Sequence, residues 1–264
     1  MRKFIALCLI LCFALLPAGA LGESMLVATF LDAGPGSAIL LQCDGEAMLI
    51  DSGPRSASGT LLSRLLSLGI TSLSHAVITH PHADHIGGLC GLLPSYDVGT
   101  LWLPDTDYAE DSSCHQYVAL LAARKDLPFT TPEPATSFDL GGATITLLSA
   151  TEVGVEDPHN ACLVIRVDHG GKSLLIIGDL GEGAEAELIA SEALSHADGL
   201  YLGNHYLRSP DALLDAVTPE FLLLSAPSSP SEAGGYTTLR LDLDAPLSLV
   251  SDGTYLRLQG IRTN

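Results

Sequence analysis

The sequence is poor in positive charge and has no apolar run long enough for a membrane span, and each shortage excludes a class of protein. Only 12 of the 264 residues are Lys or Arg, against 31 Asp and Glu, which gives a formal net charge of −19. A protein that holds a long polyanion through its surface field needs clustered basic residues, so long duplex nucleic acid is disfavoured as a partner. A bilayer span needs about 20 consecutive apolar residues, and no segment comes close to that length.

The chain does contain enough apolar material for a large folded core. Hydrophobic residues make up 47% of the sequence and charged residues only 16%, which excludes a disordered acidic tail. The length is compatible with one large domain or two small ones. Because no internal repeat or linker divides the sequence, we expect a single domain.

Cysteine is scarce, and its spacing carries no metal motif. The six Cys include no C-x-x-C pair, so a Cys-based zinc site is not indicated. Two of them lie in the N-terminal segment described next. The other four either form disulfides in an oxidising compartment, with three possible pairings, or serve as small buried apolar side chains: Cys43, Cys90, Cys114 and Cys162.

The N-terminus has the pattern of a secretory signal peptide. Arg2 and Lys3 precede an apolar run from Phe4 to Leu16, and small residues with an Ala-x-Ala ending follow. We therefore predict cleavage after residues 1–20 and a mature domain over 21–264 outside the cytoplasm, with no membrane span of its own. An uncleaved N-terminal anchor is the alternative. Cleavage leaves 10 basic against 31 acidic residues, a formal charge of −21.

The rest of the chain alternates short apolar runs with helical patterns. Helices are predicted around Leu61–Leu68, from about His115 to Lys125, and around Ala184–Ile189, and a surface connection is predicted over Pro128–Pro134. Two blocks of strands, each followed by helices, indicate sheets stacked between helical layers. Strands are predicted at Met25–Leu31, Ala38–Cys43, Ala47–Ile50, Ala76–Ile78, Leu101–Leu103, Ala143–Leu148, Leu163–Val167, Leu174–Ile177, Leu200–Leu202, Phe221–Leu224 and Leu247–Val250.

The most informative segment is the loop that follows the strand at Ala76–Ile78 and reads Thr-His-Pro-His-Ala-Asp-His. His80 and His82, two positions apart in extended chain, point to the same side and can reach one ion. Asp84 and His85 come after the chain turns and can face a neighbouring ion. Imidazole and carboxylate suit Zn²⁺, and also Fe²⁺ or Mn²⁺. A solvated surface His cluster is the alternative interpretation.

This loop matches the H-x-H-x-D-H signature of the metallo-β-lactamase-fold hydrolases. The flanking sequence resembles, more narrowly, the extracytoplasmic metallo-β-lactamase-like domain of ComEC-type competence proteins. The resemblance extends from about Met25 to Leu224. Its motifs are Phe30–Ala38, Leu49–Arg55, Ile78–Leu89, Asn160–Val164 and Leu175–Asp179.

The resemblance implies a four-layer αββα sandwich of the α/β (α+β) class, with two metal ions at one edge of the sheets. It implies that His80 and His82 bind the first metal, and that Asp84 and His85 bind the second. Asp179, after an apolar strand, matches the Asp that bridges the two ions. Its alternative role is to cap the helix that starts near Gly183.

Two further ligands depend on how the motifs align. His159 stands where many family members supply the third His of the first metal, although the competence branch often has Asn near this point, which would favour Asn160. The competence branch has a His-His pair where this chain has Asn204-His205. We expect His205 to be the remaining ligand, but if the first residue of that pair binds the metal, Asn204 is a poor substitute. The remaining His are predicted to be surface or structural: His75, His115, His169 and His196.

The resemblance implies hydrolysis by a water activated at a site of two ions, most simply Zn²⁺, with Mn or Fe as alternatives. Asp84 and His205 are the expected catalytic residues, and Asn204 and Tyr206 are expected to contact substrate. The competence-like resemblance implies a phosphodiester or another ester as substrate, and a small one is expected because the charge of the chain repels long polyanions. The second hypothesis is a degenerate binding module with an incomplete second metal site and no hydrolysis.

Overall fold

Two β-sheets pack against each other, and helices lie on the outer face of each sheet. The computed structural model describes residues 24–31, 33, 36–104, 113–153, 157–203, 210–225, 236–241 and 247–260. The segment predicted to be a signal peptide lies outside these residues. Among the helices of the described residues, none is long and apolar enough to cross a bilayer.

The first sheet has eight strands in the order β15-β14-β1-β2-β3-β4-β5-β6 within the described residues. From β3 to β6 neighbouring strands are parallel, and the other pairs are antiparallel. Its strands are β1 (Leu26–Phe30), β2 (Ile39–Cys43), β3 (Glu46–Ile50), β4 (Ser72–Val77), β5 (Asp97–Trp102), β6 (Phe129–Thr130), β14 (Leu247–Ser251) and β15 (Leu256–Gly260).

The second sheet has seven described strands in the order β13-β12-β11-β10-β9-β8-β7. Here β10 to β13 are parallel, and β7 to β10 are antiparallel. Its strands are β7 (Thr136–Leu140), β8 (Ala143–Leu148), β9 (Val164–His169), β10 (Lys172–Ile177), β11 (Gly199–Leu202), β12 (Phe221–Ser225) and β13 (Thr237–Leu241). The helices are α1 (Ser58–Ser67), α2 (Ala83–Ile86), α3 (Leu89–Leu92), α4 (Ser113–Arg124), α5 (Glu182–Ala190) and α6 (Asp211–Val217).

The alternation of side chains along the central strands creates three apolar layers. In β3, Ala47 and Leu49 face a core shared with α1, α3 and α4, whereas Met48 and Ile50 face the core between the two sheets. Strand β10 divides its side chains in the same way between the inner core and a third core with α5 and α6. Because both faces of these strands are buried, their sequences are almost continuously apolar. The layer order αββα is therefore confirmed.

Every predicted strand and helix is present, with small shifts at the ends. One prediction was wrong: the connection predicted at Pro128–Pro134 contains the short strand β6. Strands β7, β13 and β15 were not predicted. In β7 and β13, the alternating polar residues reflect burial on one face only, and β15 has no buried residue among 256–259. The four described Cys are free and buried, as expected of small apolar side chains.

Candidate metal centre

The loop after β4 and the turn after β10 meet at one edge of the sandwich. Both strands are parallel to a neighbour and end at this edge. The backbone N–H of Leu163, just before β9, donates to the carbonyl of Thr79 at 2.9 Å and so ties the second sheet to the loop of the first. This connection brings His80 and Asp179 together although they belong to different sheets.

Three imidazoles form the first group of possible ligands. One ring nitrogen from each of His80, His82 and His159 lies within 4.8 Å of the others. His80 Nε2 and His82 Nδ1 are 2.9 Å apart, as the spacing of these residues in extended chain predicts. His80 is fully buried and the other two are half-buried, so the group is closed on one side and open to solvent on the other.

The second group is buried on all sides. It consists of His80, His85 and Asp179, whose ligand atoms also lie within 4.8 Å of one another. Asp179 Oδ2 is 3.2 Å from His85 Nε2 and 3.6 Å from His80 Nε2. His80 is thus common to both groups. Asp84 lies at the rim, where its side chain is 32% exposed and its Oδ2 is 3.9 Å from His85 Nε2.

Asp51, directly after β3, holds the metal-ligand loop through hydrogen bonds, a role that the sequence did not predict. Its carboxylate accepts hydrogen bonds from the Thr79 backbone N–H at 2.8 Å and from Thr79 Oγ1. Its Oδ2 also accepts from His85 Nδ1 at 2.7 Å, which leaves Nε2 facing Asp179. A carboxylate behind a His fixes its tautomer and orientation for metal binding. The only sequence signal for Asp51 was its place in the motif Leu49–Arg55.

The structure distinguishes the surroundings of His159 from those of Asn160. His159 lies in the first group, and its Nδ1 is 2.8 Å from Asp157 Oδ1. The Asn160 side chain instead faces α5, where its Oδ1 accepts from the backbone N–H of Ala184 at 3.3 Å. Asn160 therefore contacts the helix, and His159 contacts the other imidazoles.

Asn204, His205 and Tyr206 lie outside the described residues, so their predicted roles stay predictions. Gly203, the last described residue before them, donates its N–H to the carbonyl of Ile177 at 2.8 Å. The chain that leaves β11 therefore starts next to the strand end that carries Asp179.

The other histidines make contacts outside the two groups. His169 is buried, with Nδ1 at 2.9 Å from Ser251 Oγ and Nε2 at 3.0 Å from Ser24 Oγ. His75 accepts a hydrogen bond from the Trp102 indole at 3.1 Å. These contacts agree with the structural role predicted for both residues.

The donor set fits divalent metal ions. Burial lowers the pKa values of His80 and His82, and the neighbouring imidazoles add to the effect, so both rings are neutral at pH 7. Burial alone would also lower the pKa of His85, but Asp51 and Asp179 together outweigh it and raise this pKa to about 10. Neutral imidazole nitrogen and carboxylate oxygen are the ligands that Zn²⁺ and related ions take.

Proton release should distinguish the two groups. In the metal-free protein His85 is protonated at pH 7, and its Nε2 must lose that proton when an ion binds to the buried group. We therefore expect about one proton released per ion there, and an affinity that rises about tenfold per pH unit below the pKa of His85. Zn²⁺ titration calorimetry in buffers with different protonation heats measures this release. Two binding events without net proton release at pH 7 would contradict the expectation.

Comparisons with known proteins agree with the fold. A family model described as the metallo-β-lactamase superfamily matches residues 31–221. Competence protein ComA of Neisseria gonorrhoeae is 26% identical over 246 residues, which cover 86% of this chain and 33% of ComA. Recombination protein 2 of Haemophilus influenzae is 27% identical over 226 residues, which cover 83% of this chain and 26% of that protein. The chain thus spans a third or less of the length of these curated relatives.

A solved structure adds a comparison at the level of the fold. The crystal structure of a diphosphatase from the PhnP family has a TM-score of 0.52 at 14% identity, covering 86% of this chain and 98% of that one. At this identity the similarity shows a shared fold and nothing about the substrate.

Proposed function

Because this chain belongs to the metallo-β-lactamase superfamily, we propose that it is a metal-dependent hydrolase of small phosphodiesters or related esters. His80, His82 and His159 would hold one ion. His85 and Asp179 would hold a second, together with Asp84 and His205. The observation that carries the proposal is the convergence of two groups of possible ligands, one half-open and one buried, at the edge where both sheets end.

Bound divalent ions would stabilise the negative charge that develops on the scissile group. They would also lower the pKa of a bound water, so that hydroxide is available at neutral pH. The residues of the chain provide the rest of the site. The Asp51 carboxylate, itself held by the backbone N–H of Thr79, accepts from His85 Nδ1 and so fixes the tautomer of His85. Asp84, at the exposed rim, is the group that we assign to orient the water, to accept a proton from it and to pass that proton to the leaving group.

Charge and sequence similarity support the proposed substrate class. A net charge of −19 repels a long polyanion along its whole length, whereas a small anion would contact only the metal centre. The competence and recombination proteins that match this chain favour a phosphoester over a lactam. A small phosphodiester fits both observations.

We also propose that the protein acts outside the cytoplasm after removal of residues 1–20. The basic, apolar and Ala-x-Ala segments of its N-terminus support this proposal. The mass of the N-terminal peptide of exported protein tests it. An N-terminus that retains Met1 would favour the uncleaved anchor.

Metal analysis combined with activity assays tests the proposed function. Purified protein should retain about two ions per chain, and it should hydrolyse bis-(nitrophenyl) phosphate faster than a simple carboxylic ester or single-stranded DNA. A chelator should abolish hydrolysis, and Zn²⁺ or Mn²⁺ should restore it. Protein that binds one ion or none and hydrolyses no substrate would instead be the degenerate binding module. Faster hydrolysis of DNA than of the small ester would overturn the substrate assignment.

A further inference from the structure

His159 lies in the connection between β8 and β9. At His159 and Asn160 this connection is hydrogen-bonded to the start of helix α5. Gly181, at the start of α5, donates its backbone N–H to the carbonyl of His159 at 2.8 Å. The Asn160 side-chain oxygen accepts from the N–H of Ala184 in the first turn of the helix at 3.3 Å. One of the unpaired N–H groups at the helix start is therefore satisfied by a side chain from outside the helix.

The approach of the connection to the helix is close enough to require glycine at position 181. A Cβ atom there would lie 2.3 Å from Asn160 Oδ1 and 3.1 Å from the carbonyl carbon of His159. These distances are shorter than van der Waals contact, so any side chain at this position would displace the connection. The backbone on both sides of the His159–Asn160 peptide is thus held against the helix.

Helix α5 is also the helix that follows Asp179, with only Leu180 and Gly181 between them. A second contact reinforces the attachment, because the Glu187 carboxylate accepts from the N–H groups of Thr151, Glu152 and Val153 at 2.5, 2.9 and 3.0 Å. His159 and Asp179, although separated in sequence, therefore both lie next to the start of helix α5.

We propose that Asn160 is a positioning residue, which holds His159 in place through helix α5 and so sets the metal affinity of the group His80–His82–His159. The inference rests on the proposed metal centre. It assigns Asn160 a role in orienting a ligand rather than in binding the ion. Contacts that orient a metal ligand typically change the affinity about 10- to 100-fold.

Asn160→Ala removes the acceptor for Ala184 N–H, and we expect Zn²⁺ affinity of the first group to fall about tenfold or more. Asn160→Asp keeps an acceptor of the same shape at the helix N-terminus, where a negative charge is favourable, so its affinity should stay within about threefold of wild type. Competition with a chromophoric chelator measures the affinity. Glu192→Gln, at the exposed end beyond α5, is a control that should not change it.

A double-variant cycle separates positioning from general destabilisation. If Asn160 acts through His159, Asn160→Ala should cause no further loss of affinity in a His159→Ala background. An equal loss in both backgrounds, or wild-type affinity in Asn160→Ala, would overturn the inference. Should Asn160→Ala fail to fold, Glu187→Gln takes its place in the same cycle, where wild-type affinity would likewise count against attachment to α5. Wild-type protein that binds no ion would instead reject the proposed function.

Discussion

Asp179→Asn is expected to lower kcat/KM for a small phosphodiester by roughly 10³-fold, which equals about 4 kcal/mol of transition-state stabilisation. The Asp179 carboxylate is buried, and its Oδ2 lies 3.2 Å from His85 Nε2 and 3.6 Å from His80 Nε2. It therefore supplies the negative charge of the second group. An amide of the same size keeps the packing but supplies no charge to divalent ions. We therefore expect the ion of the second group to be lost.

Steady-state kinetics and metal analysis on the same sample test this prediction. Asp139→Asn removes one negative charge from an exposed position and is the matched control, whose activity and metal content should equal those of wild type. A variant at position 179 that keeps both ions and wild-type kcat/KM would show that Asp179 holds no ion. Capping of α5 is not its role, because the N-cap residue is Gly181, which offers no side-chain cap.

Asp51→Asn is expected to weaken both the metal centre and the fold. Asn tolerates the left-handed backbone at this position, where φ is 55°, so the backbone can keep its path. The Asn amide has only one acceptor oxygen, whereas the Asp51 carboxylate uses both oxygens to accept hydrogen bonds from Thr79 and His85. His85 Nδ1 would then face an N–H₂ group and would be forced to carry its proton on Nε2, the wrong tautomer for metal binding. We expect a 10- to 100-fold loss of metal affinity and about 3 kcal/mol of lost stability.

Asp198 offers a matched control on the far side of the second sheet. It is buried like Asp51, and it accepts from the backbone N–H and the hydroxyl of Ser173 and from a cation, Lys172. Asp198→Asn should therefore reduce the free energy of unfolding to a similar degree while metal affinity stays at the wild-type value. Denaturant unfolding of metal-free protein and chelator competition give the two quantities. If both variants had the same metal affinity, Asp51 would have only a structural role.

Sequence alone predicted the parts of this molecule that depend on local pattern. The spacing of His80 and His82 placed two imidazoles on one side of an extended chain, and their ring nitrogens are 2.9 Å apart. The apolar runs predicted the central strands because those strands are buried on both faces. The edge strand β13, which contains Arg240, is buried on one face only and gave no such signal.

What the sequence could not predict depends on contacts between distant segments. In the sequence, nothing distinguishes the contacts of Asp51 from those of any acidic residue after a strand. Only the parallel pairing of β3 and β4 brings Asp51 within hydrogen-bond distance of Thr79 and His85. His159 and Asn160 are adjacent in sequence, and only the position of α5 separates their roles. The local sequence pattern contains no information about which of these two neighbours faces helix α5, which begins only at Glu182.

The origin of the ligands in both sheets has a consequence for how a newly made chain matures. His80 and His85 come from the first sheet, and His159 and Asp179 come from the second, so neither half of the chain can complete the centre before the sheets dock. An ion that binds only the docked state stabilises it by RT ln(1 + [L]/Kd) and acts as a reversible cross-link between the halves. Metal supply should therefore govern how long the protein resists proteolysis. Without bound ions the two sheets can separate more often, and the separated state is open to cleavage.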